Sequence, residues 1–309
     1  YNLIGTAFSS GLTNGVDGNT LGISDPGLSP LGDYGGLTHT HVPLAGSPAI
    51  DSGDVNQASS STDQRGFNRN FFDIATRSDG VDIGAVEQGL IVTTPDDEDD
   101  SVFDRADLSL REAIATAQGN YSVAGEVNRI TFGLGVSGTL GLAHGELLID
   151  NSEVAIEGPG ADSLIIDAQG ASRVIRVTGS ATAEISGLTI TGGHASGAAN
   201  DDGGGIMNGG DLTLLKVEVV DNTADDSGGG IYTFGPLHIE ESSIIENEAG
   251  IAAGIRADLS SNEAFRLIAS TLAHNSTIAG GNNGALLLKG GTNDAQIINS
   301  TISNNTANY

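Results

Sequence analysis

The sequence predicts an all-β fold: a right-handed parallel β-helix with one N-terminal capping α-helix and a loop-rich first segment. Three observations predict it. The first is a phrase repeated four times, an apolar residue, two variable positions and then Asn: Val219 to Asn222, Ile244 to Asn247, Leu272 to Asn275 and Ile302 to Asn305. The asparagines step by 25, 28 and 30 residues, and a period in the range of ~20 to 50 residues marks a solenoid. The second is a fixed set of apolar offsets. Eight residues before each Asn stands Leu214, Ile239, Leu267 or Ile297, and ten before stands Leu212, Leu237, Phe265 or Ala295. A spacing of two places both on one face of a strand. The third is a Gly-rich corner before each new apolar start, as in Gly203-Gly204-Gly205-Ile206, Gly228-Gly229-Gly230-Ile231 and Ala253-Gly254-Ile255.

Such a unit cannot bury its apolar face alone, but copies stacked about 4.8 Å apart can. In the stack Asn222, Asn247, Asn275 and Asn305 fall above one another as a structural ladder. Asn tolerates the left-handed conformation a corner needs, and its amide can bond the Asn above and below.

The elements are expected in this order. Residues 1–89 are loop-rich and end in Asp82-Ile83-Gly84-Ala85-Val86-Glu87. Residues 90–106 read as an acidic linker, solvated and mobile around Asp96-Asp97-Glu98-Asp99-Asp100. Residues 107–309 hold the capping helix and the coils. Ser109-Leu110-Arg111-Glu112 is a capping-box pattern, with Leu110, Ala113, Ile114 and Ala117 on one narrow apolar face and Gly119 ending the helix. A β-helix exposes unpaired backbone at its first coil, and an amphipathic helix placed there covers it. Short apolar runs follow between Gly, Asn and Asp turns: Arg129 to Phe132, Leu147 to Ile149, Val154 to Ile156, Leu164 to Ile166, Val174 to Val177 and Leu188 to Ile190.

Composition sets bounds. Aromatics are 4% and Trp is absent, so the core is aliphatic. Cys is zero, which excludes a disulfide scaffold and a thiolate metal site. No run of 18 apolar residues occurs, so no membrane-inserted span is expected. No signal peptide is visible, and the opening Tyr1-Asn2-Leu3-Ile4-Gly5 reads as mid-domain sequence, as of a fragment or processed piece. The formal charge of −28, with 40 acidic against 12 basic residues, repels phosphate backbones and argues against nucleic-acid partners. It suits a saline, extracellular setting, secreted or on the cell surface.

Leu108-Ser109-Leu110-Arg111-Glu112-Ala113-Ile114 resembles the domain called CSLREAI, which opens large secreted bacterial β-helix proteins; Leu108 replaces its Cys. Arg173-Val174-Ile175 and Ser186 to Gly193 look like its continuation. The Gly-Gly-Gly-Ile and x-x-x-Asn phrases resemble the repeats of chlamydial polymorphic outer membrane proteins. Ser47-Pro48-Ala49-Ile50-Asp51-Ser52-Gly53, Asp63-Gln64-Arg65-Gly66 and Asp82-Ile83-Gly84-Ala85 are similar to the choice-of-anchor Q region, which closes such β-helices. The resemblance implies that residues 1–89 are the closing segment of a preceding β-helix, and that the whole is a giant surface or secreted protein of planctomycete type, with a non-catalytic role and no catalytic residues.

The chemistry-bearing candidates are few. Asp201-Asp202 and Asp225-Asp226 precede equivalent Gly corners and should lie one coil apart on one edge. Stacked carboxylates repel unless a cation bridges them, so they are candidate Ca²⁺ ligands, against the alternative of a solvated acidic edge. Polysaccharide lyases and hydrolases also use this fold; for them Lys216 and Arg256 are candidate bases beside those acids. His39 and His41 alternate on one strand face without a third ligand. Asp63 and Arg65 beside Asp82 suggest a charge-paired turn. The reading is therefore a non-catalytic structural or adhesive repeat that stacks head to tail on copies of itself or neighbouring repeats. The alternative is a polysaccharide-binding or polysaccharide-cleaving β-helix.

Overall fold

A computed structural model of the chain describes residues 1–5, 11–32, 37–44, 47–50, 52–54, 62–65, 81–87, 89–100, 107–118, 127–133, 135–197, 201–260, 263–290 and 295–308. Asp51, Gly66, Gly119 and Tyr309 lie outside the described residues.

The protein is a parallel β-helix of about six turns with a single helix among the described residues. Two strands, β1 (Asn2–Ile4) and β2 (Asn19–Leu21), pair in parallel near the start. β3 (Leu90–Val92) and α1 (Leu110–Gln118) precede the coils. The first coil contains β4 (Asn128–Phe132), β5 (Gly138–Gly141) and β6 (Leu147–Asp150). The second contains β7 (Glu153–Glu157), β8 (Leu164–Asp167) and β9 (Ile175–Thr178). The third adds a fourth side: β10 (Thr182–Ser186), β11 (Thr189–Thr191), β12 (His194–Ala195) and β13 (Ile206–Asn208). β14 (Asp211–Leu215), β15 (Glu218–Val220), β16 (Thr223–Ser227) and β17 (Ile231–Thr233) form the fourth coil. β18 (Leu237–Glu240), β19 (Ser243–Ile245), β20 (Glu248–Ile251) and β21 (Ile255–Leu259) form the fifth. The sixth runs β22 (Phe265–Ile268), β23 (Thr271–Ala273), β24 (Ser276–Asn282) and β25 (Leu286–Gly290), and β26 (Ala295–Ile298) and β27 (Thr301–Ser303) follow it.

Each strand pairs with its counterpart one coil away, giving parallel sheets of eight, seven, four and six strands. The repeat offsets set the register. Leu214, Ile239, Leu267 and Ile297 are direct partners, as are Val219, Ile244, Leu272 and Ile302. All are fully buried except the last of each column: Ile297 is 46% and Ile302 44% exposed. They stand in the last described coil, where no strand lies over them.

The helix begins as the capping box requires. The Glu112 N–H donates to Ser109 Oγ (3.2 Å) and the Ser109 N–H to Glu112 Oε2 (3.1 Å). Leu110, Ala113, Ile114 and Ala117 are buried against β3, β4, β6 and β7. That face covers the first coil.

Part of the stretch expected to be a solvated linker, residues 90–100, is built into this cap, although Asp96, Asp99 and Asp100 are exposed. Leu90–Val92 pairs with Ile130 to Phe132 of β4. Asp97 is buried and forked by Arg111, Nε to Oδ1 at 2.8 Å and Nη2 to Oδ2 at 2.9 Å. The Ala143 and His144 N–H groups also donate to Asp97 (2.7 and 2.9 Å). Burial alone pushes the Asp97 carboxyl up, but Arg111 and the two N–H donors outweigh it and hold it below the usual range. An acidic run reads as solvated only while the basic partner, here fourteen positions along the chain, goes unseen.

In the first segment Arg65 pairs with Asp63 (2.7 Å) and donates to the Glu87 carbonyl (2.7 Å). The Asp82 N–H donates instead to Glu87 Oε2 (3.1 Å). Gly89 approaches β4 so closely that a Cβ there would stand 2.2 Å from the Arg129 carbonyl.

Candidate functional site

Two arrangements carry the chain's polar chemistry: a ladder inside one corner and a charged edge outside another. The ladder follows β15, β19, β23 and β27. The Asn222 N–H and Nδ2 both donate to Asn247 Oδ1 at 3.0 Å. Asn247 donates in the same way to Asn275 Oδ1 (3.0 and 3.0 Å), and Asn275 to Asn305 Oδ1 (3.0 and 2.9 Å). Each amide also donates to main-chain carbonyls, Asn247 Nδ2 to Val219 O (3.0 Å) and Ile245 O (2.9 Å). The column therefore has a direction, with every rung donating toward the next coil. At its upstream end the Gly193 N–H donates to Asn222 Oδ1 (2.9 Å).

The ladder asparagines are not the left-handed residues. That conformation falls one position earlier, on Gly192, Asp221, Glu246, His274 and Asn304, with φ between 53° and 64°. The earlier residue makes the bend, which leaves the Asn side chain pointing into the corner. A second ladder runs beside the first. The Val217, Ser242 and Ser270 N–H groups donate to Ser242, Ser270 and Ser300 Oγ at 3.0, 3.1 and 3.2 Å. Ser242, Ser270 and Ser300 stand five positions before Asn247, Asn275 and Asn305.

The charged edge lies where β16 and β20 lead into β17 and β21. The Asp226 N–H donates to the Asp201 carbonyl (3.0 Å), so the two aspartate pairs do lie one coil apart. Arg256, from the outward face of β21, reaches the same place. Its Nη1 is 3.6 Å from Asp226 Oδ2, its Nη2 is 2.9 Å from Asp258 Oδ2, and it bonds Ser227 Oγ. Ser227 Oγ in turn donates to Asp226 Oδ2 (2.9 Å). Burial pushes the Asp202 carboxyl up and the neighbouring Asp226 adds to it, while Arg256 opposes both. Asp202 Oδ1 is buried without a hydrogen-bond partner.

Beneath the edge, buried Arg173 fixes the backbone. Its Nε donates to Gly203 O (2.8 Å), its Nη2 to Asp202 O (2.7 Å), and its Nη1 to Glu146 (2.5 Å), which also holds Arg176 at 3.2 Å. Asp225 points elsewhere, toward His194 Nε2 at 3.3 Å. Lys216 is not at this edge; it sits at the β14–β15 turn, 3.6 Å from Glu241. Among the described residues no group of three or more His, Cys, Asp or Glu side chains is arranged as a metal shell. His41 Nδ1 bonds Ser29 O (2.7 Å), and His39 is exposed.

No protein-family model and no curated protein matches the chain. A solved structure, ORF18 of Geobacillus virus E2, is similar at 12% identity and a TM-score of 0.26, over 70% of this chain and 61% of that one. The chain thus matches less than two thirds of that protein's length.

Proposed function

We propose that the chain is a non-catalytic structural or adhesive repeat of a large extracellular cell-surface or filament-forming protein, stacking head to tail on copies of itself or on neighbouring repeats. The observation that carries this reading is the polarity of the two ladders, which continues unchanged from coil to coil. By that polarity the Ser300 and Asn305 N–H groups point to where a further coil would lie. Beside them Ile297 and Ile302 continue the two inward columns in register. An unpaired strand edge with an apolar cross-section templates pairing with another parallel strand. A head-to-tail contact that does not close produces an open filament. The formal charge of −28 favours solubility in a saline extracellular medium. Among the described residues no helix is long and apolar enough to cross a membrane.

Electron microscopy of the chain at high concentration tests the reading. Unbranched filaments are expected, and high salt leaves them intact because the contact is backbone pairing and aliphatic stacking. Ile302→Asp abolishes them. Discrete particles at every concentration would overturn the proposal.

A further inference from the structure

The six-stranded sheet carries a continuous outward column, one side chain per coil: Leu148, Arg176, Met207, Tyr232, Arg256 and Leu287. Midway along, just after β17, stands Phe234, 44% exposed. Its ring lies over Gly209, where a Cβ would stand 2.5 Å from ring carbons. The absence of a side chain at Gly209 lets the ring come close to the backbone while the residue stays largely exposed. Tyr232 is 6.1 Å away, tilted by 56°, and its own face is occupied by the Arg256 guanidinium, 5.5 Å from the ring centroid. Phe234 is thus the open ring of the pair. Beside the pair, on the same strip, the Tyr232 hydroxyl is 3.4 Å from Asp258 Oδ2 and Arg256 forks the same carboxylate.

We infer that this face binds a neutral polysaccharide, with one sugar ring stacked on Phe234 and its hydroxyls bonded to Asp258 and Arg256. The C–H face of a sugar ring is apolar and weakly positive, and it matches the negative face of an aromatic ring. Hydroxyl donors to ionised carboxylates give the stronger class of hydrogen bond. An anionic polymer is disfavoured, because the strip holds three carboxylates around a guanidinium already paired, on a chain of charge −28. A flat apolar protein surface is disfavoured too, because covering these charges without replacing their water is costly. The inference concerns the flank of the coils and not their ends, so sugar binding and filament formation succeed or fail separately.

Affinity electrophoresis of the whole chain tests it, in native gels containing mixed-linkage β-glucan, galactomannan or, as the anionic comparison, polygalacturonate. Retardation is expected in at least one neutral gel and absent in polygalacturonate. Phe234→Ala weakens it at least tenfold with an unchanged melting temperature, while Phe234→Tyr and Leu148→Ala retain it. If Phe234→Ala melts early, Asp258→Asn replaces it, with an expected loss of at least threefold. No retardation in either neutral gel, retardation in polygalacturonate alone, or undiminished binding by the substituted chain would each overturn the inference.

Discussion

Removing a central rung of the asparagine ladder separates its contribution from ordinary core packing. In Asn247→Ala the buried Asn222 N–H loses its acceptor, and the Val219 and Ile245 carbonyls lose a donor. Orphaning a buried donor costs ~1–3 kcal/mol, and each further lost bond ~0.5–1.5 kcal/mol. The sum is about 4 kcal/mol. Asn305→Ala removes the corresponding bonds, from Asn275 and to the Leu272 and Ser303 carbonyls, but at a half-buried rung where water can replace them, so about 1–2 kcal/mol is expected. Far-UV circular dichroism in urea gives the comparison. Because a solenoid can open in parts, hydrogen exchange at the Asn222 amide should be read alongside it. That amide should exchange far faster in Asn247→Ala. Equal destabilisation by the two substitutions, within about 0.5 kcal/mol, would refute a cooperative ladder. Asn247→Asp adds a sign test. Its new oxygen would face Val219 O, Ile245 O and Asn275 Oδ1, where Nδ2 now donates. Burial among acceptors raises its folded pKa, so the folded state binds the extra proton. The variant should then be least impaired near pH 4 and lose stability as pH rises.

Three further outcomes are expected. Asp97 is held below the usual carboxylate range by Arg111 and two N–H donors, so its contribution is lost as pH falls below ~4. Asp97→Asn should cost about 1–3 kcal/mol at pH 7 and flatten the acid limb of a pH titration of stability; an unchanged acid limb counts against that role. Glu246 is exposed and left-handed, with φ of 57°. Glu246→Asn should raise stability by roughly 0.5–1 kcal/mol, read as a higher urea midpoint, because Asn visits that region more readily. Arg256→Gln leaves Asp202, Asp226 and Asp258 without their guanidinium. Its melting temperature should drop and be partly restored by millimolar Ca²⁺ relative to EDTA at matched ionic strength. A variant equally stable in both would show that Arg256 does not neutralise this edge.

The coil register was legible in the sequence because inward residues repeat at fixed offsets from each Asn. Leu214, Ile239 and Leu267 could be placed without knowing how the corners turn. The helix was legible for a similar reason, since Ser109 and Glu112 act locally. What escaped depended on distant partners. Asp97 reads as one of five acids until Arg111 and the loop at Ala143–His144 come round to it. The bend residue escaped because Asp221, Glu246 and His274 have little in common as side chains, whereas the Asn after them is constant. The charged edge was half visible: the four aspartates announced themselves, but Arg256 arrives from a later coil and Arg173 from an earlier one. Phe234 gave no signal, because its platform depends on Gly209, 25 positions back in the previous coil.

Parallel in-register stacking has a mechanical consequence. The bonds joining one coil to the next lie along the long axis, so a pull on the two ends loads them a coil at a time. α1 and Asp97 clamp the first coil, so peeling should not begin there. Each released coil of 25 to 30 residues pays out slack of roughly 80–110 Å at ~3.3–3.6 Å per residue. A tether of this design would yield in small repeated steps, absorbing work at each, and could rewind from the clamped end when the load is removed.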